Sequence, residues 1–226
     1  MAVLTPAYAP VARDAPDEPA APSSAFRERA SDFAGRAAIS AWFVVFAIQI
    51  GAEFVRTGHL TGLLLLVSEL LVVVLTVMRR PAVRVDRAWR TRIVALASMA
   101  GIPLLRPIGV GIIPDAATAA VSAAGLLLII AGKIALGRSF GLMPANRGVV
   151  CRGVYGVMRH PIYAGYLVTH AAFLVAHPLG WNLLVLVASD IALLVRAICE
   201  ERTLARDADY AAYMTKVRWR VLPGVF

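Results

Sequence analysis

The chain has 226 residues, 59% of them hydrophobic and only 16% charged, with a net charge of +9. A soluble domain carries roughly 25% charged residues, so too little polar sequence is present here to cover a soluble fold. The basic excess does not point to nucleic acid either, because the arginines gather in alternate loops, as they do in chains threaded through a membrane.

Residues 1–36 are rich in Ala and Pro with scattered charges of both signs. They lack the basic start, apolar run and small-residue cleavage site of a signal peptide and are expected to form a disordered cytosolic tail. Apolar runs long enough to span a membrane then recur, and spans are expected at 37–55, 60–78, 93–113, 115–136, 161–177 and 181–199. Pro103, Arg106, Pro107 and Pro114 interrupt the third, which is either a kinked helix or a broken one. Loop 79–92 holds six arginines and loop 137–160 holds four, whereas 178–180 holds none. Six spans with both termini in the cytosol put every basic loop on the cytosolic side of the inner (cytoplasmic) membrane.

Beyond residue 199 the chain turns polar, beginning with Glu200-Glu201-Arg202. Tyr210, Tyr213, Met214 and Val217 follow at helical spacing, with Arg218 and Arg220 around Trp219, and Pro223-Gly224 ends the run. This pattern predicts an amphipathic helix lying at the membrane interface. The expected fold is thus all-α, a polytopic transmembrane bundle of about six spans. Its first four spans occupy 37–136, and 137–226 holds a loop, a membrane hairpin and the C-terminal helix. Cys151 and Cys199 have no disulfide or metal-ligand spacing, and no metal is expected.

The residues that could carry chemistry sit at the two ends of that hairpin. Arg159-His160-Pro161-Ile162-Tyr163 opens the fifth span, and Glu200-Glu201 closes the sixth. An antiparallel helix pair brings both clusters to one membrane face, at a polar mouth. Arg159 is either an ordinary topology signal or, with His160 and the helix N-terminus behind Pro161, part of an anion site. Glu200 and Glu201 project about 100° apart on a helix, so one is expected to face a pocket and the other Arg202 or solvent. Arg196 could also pair with Glu200 at i, i+4. Within the spans, Glu53, Glu69, His170 and Asp190 are costly in lipid and should face the bundle. His170 and Asp190 fall at similar depth and are expected to pair, as a polar lock or as the wall of a substrate tunnel. The glycines of the 137–156 loop do not form a GxGxxG nucleotide motif.

An ordered set of segments carries a family likeness: Val150-Cys151-Arg152-Gly153-Val154-Tyr155, then Arg159-His160-Pro161-Ile162-Tyr163-Ala164-Gly165-Tyr166, then Glu200-Glu201, Tyr210-Ala211-Ala212-Tyr213 and Arg220-Val221-Leu222-Pro223. Over residues 138–226 the chain resembles the isoprenylcysteine carboxyl methyltransferase family, which also takes in related phospholipid N-methyltransferases. The resemblance implies a membrane methyltransferase using S-adenosylmethionine, with a lipophilic acceptor (an isoprenoid or isoprenylcysteine-like carboxylate or thiol, or an amine lipid) and membrane lipids as its surroundings. It implies that His160, Pro161 and Tyr163 contact the cofactor. It also sets Arg159 and one of Glu200 and Glu201 close to the cofactor or the methyl-transfer centre, and it counts Glu201 and Tyr155, which matches a pattern position, among the cofactor contacts. Cys151 departs from the small hydroxyl residue that members often carry there. Membrane sterol reductases that use NADPH share the Arg-His-Pro-x-Tyr turn and the closing segment, but are usually longer. A non-catalytic membrane scaffold is a third reading.

Overall fold

The computed structural model describes residues 22–57, 60–80, 84–85, 88–106, 108, 110–141 and 145–226. Residues 1–21 of the expected tail, Pro107 and the Glu53 side chain lie outside the described residues. The chain divides into a unit ending at Ala37 and a unit from Ala38 to Phe226. In the first, residues from Pro22 onward are helical and belong to α1 (Pro22–Thr57). That helix begins inside the segment read from the sequence as a tail.

The second unit is helical. After the remainder of α1 come α2 (Leu60–Met78), α3 (Trp89–Ala100), α4 (Asp115–Leu136), α5 (Pro161–Ala176), α6 (Gly180–Leu204) and α7 (Ala208–Lys216). A short antiparallel ribbon, β1 (Arg84–Val85) on β2 (Ala145–Asn146), ties the loop after α2 to the loop after α4. Two helical stretches, Asp115–Ser139 and Gly180–Leu204, are long and apolar enough to cross a membrane, while Leu63–Met78 and Pro161–Ala176 are apolar but shorter.

α4 and α5 pack closely, and glycines make it possible. A Cβ on Gly165 would come 2.7 Å from the Gly125 carbonyl oxygen and 2.5 Å from Ile129 Cγ1. Small residues let helix backbones approach where apolar lipid provides no driving force for association. Gly165→Ala is therefore expected to force the helices apart and lower stability by about 1–3 kcal/mol, measured by thermal unfolding in detergent. An unchanged midpoint would show that the crossing can relax. The core beside this crossing joins Val72 and Leu75 of α2, Leu126 and Ile129 of α4, Ile162 of α5, and Leu193 and Ala197 of α6.

The third expected span is not a continuous helix. α3 ends at Ala100, a 3₁₀ turn with proline near its start covers Ile102–Leu104, and the described residues between Leu105 and Pro114 are not helical. A 12-residue helix rises only about 18 Å, too little for a hydrocarbon core of about 30 Å. The irregular stretch finds its hydrogen bonds on the α5–α6 corner. Asn182, fully buried, accepts from the Arg106 amide (3.0 Å) and donates to the Arg106 carbonyl (2.9 Å) and the His177 carbonyl (3.0 Å). The Trp181 indole donates to the Leu104 carbonyl at 2.9 Å, and the Ile112 amide to the Val175 carbonyl at 3.0 Å. Broken helices inside a bundle need such partners, because an unsatisfied peptide group in an apolar setting costs several kcal/mol (about).

The expected C-terminal helix is present as α7, capped by Asp207, whose carboxylate accepts from the Asp209 and Tyr210 amides at 2.9 and 3.3 Å. Part of its apolar face packs within the chain. Tyr210, Tyr213 and Val217 are buried against Val149, Leu204 and Met214, and the Tyr213 hydroxyl donates to the Tyr155 carbonyl at 2.7 Å. That bond, together with the close apolar packing, draws α7 onto the loop ahead of α5.

Candidate functional site

The site forms where three chain segments converge: the turn into α5, the C-terminal end of α6 and the segment after α7. Pro161 starts α5 with His160 as the capping residue, since proline's fixed φ suits the first helical position. The turn is fixed from the other side by the C-terminal segment. The Arg159 amide donates to the Trp219 carbonyl at 2.9 Å and the His160 amide to the Arg220 carbonyl at 2.7 Å. Pro223-Gly224 then bends the chain back, with Gly224 at φ 84°, so that the Val221 and Leu222 amides both reach the Phe226 carbonyl at 2.9 Å.

Glu201 is the centre of this arrangement and is 3% exposed. Its Oε1 accepts from Arg159 Nε at 2.7 Å and lies 3.3 Å from His160 Nε2. Its Oε2 accepts from Arg220 Nε at 2.7 Å and from Arg159 Nη2 at 3.4 Å. The third arm of the Arg159 guanidinium, Nη1, donates to the Val217 carbonyl at 3.0 Å. One carboxylate thus holds all three segments together.

Glu200 heads a second set on the neighbouring face of α6. Its Oε1 accepts from the Tyr163 hydroxyl at 2.6 Å and from Arg196 Nε at 3.1 Å. Its Oε2 meets His160 Nδ1 at 3.9 Å, longer than a hydrogen bond. Arg196 also reaches Ser98 of α3 at 3.4 Å and lies over the Tyr163 ring, 5.5 Å from its centroid. The His160 and Tyr163 rings stack in parallel at 5.2 Å. The imidazole is therefore held between both carboxylates by an aromatic neighbour one helical turn on. Tyr155 is buried beside this set in the turn before α5. Burial, and then the Glu200 charge, push its phenol well above the ordinary range, so Tyr155 remains a neutral hydroxyl at physiological pH.

The residues singled out in the sequence, Arg159, His160, Pro161, Tyr163, Tyr155, Glu200 and Glu201, are brought into one region. Three details differ from expectation. Arg159 and His160 are 9% and 7% exposed, so they are buried and do not stand open at a mouth. Both glutamates have partners within the chain, Glu201 with Arg159 and Arg220 and Glu200 with Tyr163 and Arg196, while the Glu200 side chain keeps 17% of its surface exposed. The Arg159 guanidinium is engaged with Glu201 and Val217, which leaves the protein's own carboxylate as the anion it binds. Sequence reading also passed over the role of Arg220, whose signal was an arginine placed just before the Val221-Leu222-Pro223 turn.

Further along α5, His170 Nδ1 meets Asp190 Oδ1 at 2.6 Å, the pairing that the hairpin register predicts. Lys133, unremarked in the sequence, is fully buried in α4. It donates to the Ser68 carbonyl at 2.9 Å and the Ser68 hydroxyl at 2.7 Å, and lies 3.9 Å from Glu69. A lone lysine inside an apolar run was its available signal. No protein-family model and no curated protein matches the chain.

Proposed function

We propose that this chain is an integral membrane methyltransferase that moves a methyl group from S-adenosylmethionine to a lipophilic acceptor at the cytosolic face of the inner membrane. The observation that carries the reading is the convergence of the Arg159-His160-Pro161-Ile162-Tyr163 turn, Glu200-Glu201 and the Arg220-Val221-Leu222-Pro223 segment, which are the elements of the family resemblance. Six crossings accompany it, with the α3 region and its irregular continuation as the third. Reporter fusions at residues 87, 116, 147, 180 and the C-terminus should then read in, out, in, out, in. A periplasmic signal at residue 147 would remove the site from its cofactor supply.

The donor set fits the cationic part of the cofactor. Glu200 Oε2 has no hydrogen bond shorter than 3.5 Å among the described residues, and the Glu200 side chain keeps 17% of its surface exposed. It can take an ammonium group and sit near a sulfonium. When bound, the cofactor supplies an electrophilic methyl group. Tyr163 and Arg196 orient the Glu200 carboxylate, His160 lies between it and Glu201, and the Arg159–Glu201–Arg220 lock positions the imidazole. Arg159 acts by positioning and leaves the cofactor's carboxylate to other donors. Methyl transfer asks mainly for alignment and exclusion of water, and burial of Arg159, His160 and Tyr163 with the C-terminal segment bonded to the turn favours both.

S-adenosylhomocysteine should stabilise the detergent-purified protein, by about 2.7 kcal/mol at a hundredfold excess over Kd. Glu200→Gln should weaken that binding by about ten- to a hundredfold, since a hydrogen bond to a charged group is worth about 1.5–3 kcal/mol. Stabilisation by NADPH with no effect of S-adenosylhomocysteine would instead identify a reductase of the sterol type. No effect of either ligand would return the cluster to a purely structural role.

A further inference from the structure

α5 meets α6 differently from α4. The α4–α5 crossing is glycine against glycine, whereas α5 and α6 are joined by long polar side chains. Tyr163 reaches Glu200, Arg196 covers the Tyr163 ring, and His170 reaches Asp190. This polar seam runs inward from the site. His170 lies seven residues beyond Tyr163 on α5 and so about 10 Å deeper along the helix axis.

The His170–Asp190 pair has the form of a base with its orienting acid. The carboxylate oxygen at 2.6 Å makes Nδ1 the protonated nitrogen. In a neutral imidazole the lone pair then falls on Nε2. Among the described residues Nε2 has no hydrogen-bond partner, although the His170 side chain is only 11% exposed. Tyr166 stacks on the ring at 6.2 Å and limits its rotation. A lock between helices needs only one bond and gains nothing from a second, unused nitrogen held in place. A ring fixed by a carboxylate through one nitrogen, with the other left without a protein partner among the described residues, is the arrangement that general-base catalysis uses.

We infer that His170 is the general base for the methyl acceptor, and that the acceptor is a protic nucleophile, a thiol or an amine, and not a carboxylate. This rests on the methyltransferase reading above. The acceptor's sulfur or nitrogen lone pair forms the bond to the methyl carbon as the methyl–sulfonium bond breaks, its electron pair staying on the departing thioether sulfur. The acceptor's proton passes to His170 Nε2, and the Asp190 carboxylate balances the imidazolium charge. A carboxylate has no proton to lose and would need no such group.

The test uses the full chain in detergent with three acceptors of equal tail length: dodecanethiol, dodecylamine and dodecanoate. The thiol or the amine should be methylated at least about tenfold faster than dodecanoate. His170→Gln should lower kcat for it by about a hundredfold or more while S-adenosylhomocysteine still stabilises the variant as it does the wild type. Asp190→Asn should fall between the two. Independently of turnover, adding dodecanethiol to wild-type protein labelled with ¹⁵N-histidine should shift the His170 Nε2 resonance, assigned by its loss in His170→Gln. Dodecanoate as the best acceptor, wild-type turnover by His170→Gln, or an unmoved Nε2 resonance each overturns the inference alone, provided S-adenosylhomocysteine binds. Failure of S-adenosylhomocysteine to bind the wild type removes the methyltransferase reading and this inference with it.

Discussion

Glu201→Ala is expected to destabilise the protein by about 3–5 kcal/mol, the cost of removing one partner from a buried ion pair. The loss exceeds that of an ordinary surface carboxylate because Glu201 is 3% exposed and serves Arg159, His160 and Arg220 together. Without it the Arg159 guanidinium, itself 9% exposed, keeps among the described residues only the Val217 carbonyl as a hydrogen-bond partner. Arg159→Ala should cost a comparable amount. The double variant should cost much less than the sum, because the second change removes the charge that the first left stranded. Glu201→Gln, which keeps an acceptor oxygen without the charge, should fall between wild type and alanine. Thermal or denaturant unfolding in detergent measures all four. Additive losses, or a loss below about 1 kcal/mol for Glu201→Ala, would mean that the carboxylate is effectively solvated. Such a result would also free Arg159 for an external anion.

The second large effect lies between α2 and α4. Lys133 is fully buried, and its ammonium group is held by the Ser68 carbonyl and hydroxyl with Glu69 at 3.9 Å. Glu69→Leu should leave the ammonium without its counter-charge and cost about 3–5 kcal/mol. Adding Lys133→Met should recover most of that loss, since a packed apolar pair of similar volume often equals or exceeds a buried ion pair in stability. The recovery separates a structural lock from a working pair. If the double variant regains stability and also keeps turnover, Lys133 and Glu69 serve the fold alone. If it regains stability but loses turnover, the pair belongs to the chemistry. No recovery at all would show that Ser68, not Glu69, carries most of the interaction.

The sequence by itself determined four of the helical segments and the meeting of the two clusters. Length of apolar run and the punctuation by Pro and Gly placed α2, α4 and α5 within a residue or so of their observed bounds. The apolar part of α6 was placed the same way, although the helix continues through the glutamates to Leu204. An antiparallel hairpin has only one way to fold back, so Tyr163 and Glu200, and His170 and Asp190, had to come level. Those are consequences of local pattern and a short connection. Tertiary structure decided the partners. Whether Arg159 binds an outside anion or Glu201 depends on the Trp219 and Arg220 carbonyls, which anchor the turn from some 60 residues away. Lys133 found Ser68 across 65 residues, and α7 turned its tyrosines toward Val149 and Leu204 rather than outward. The backbone of Leu104 and Arg106, beyond the end of α3, finds hydrogen-bond partners in Trp181 and Asn182. Periodicity reports which face of a helix is apolar. It carries no information on which distant side chain will satisfy a buried charge or a freed peptide group, because that depends on the packing of helices far apart in the chain.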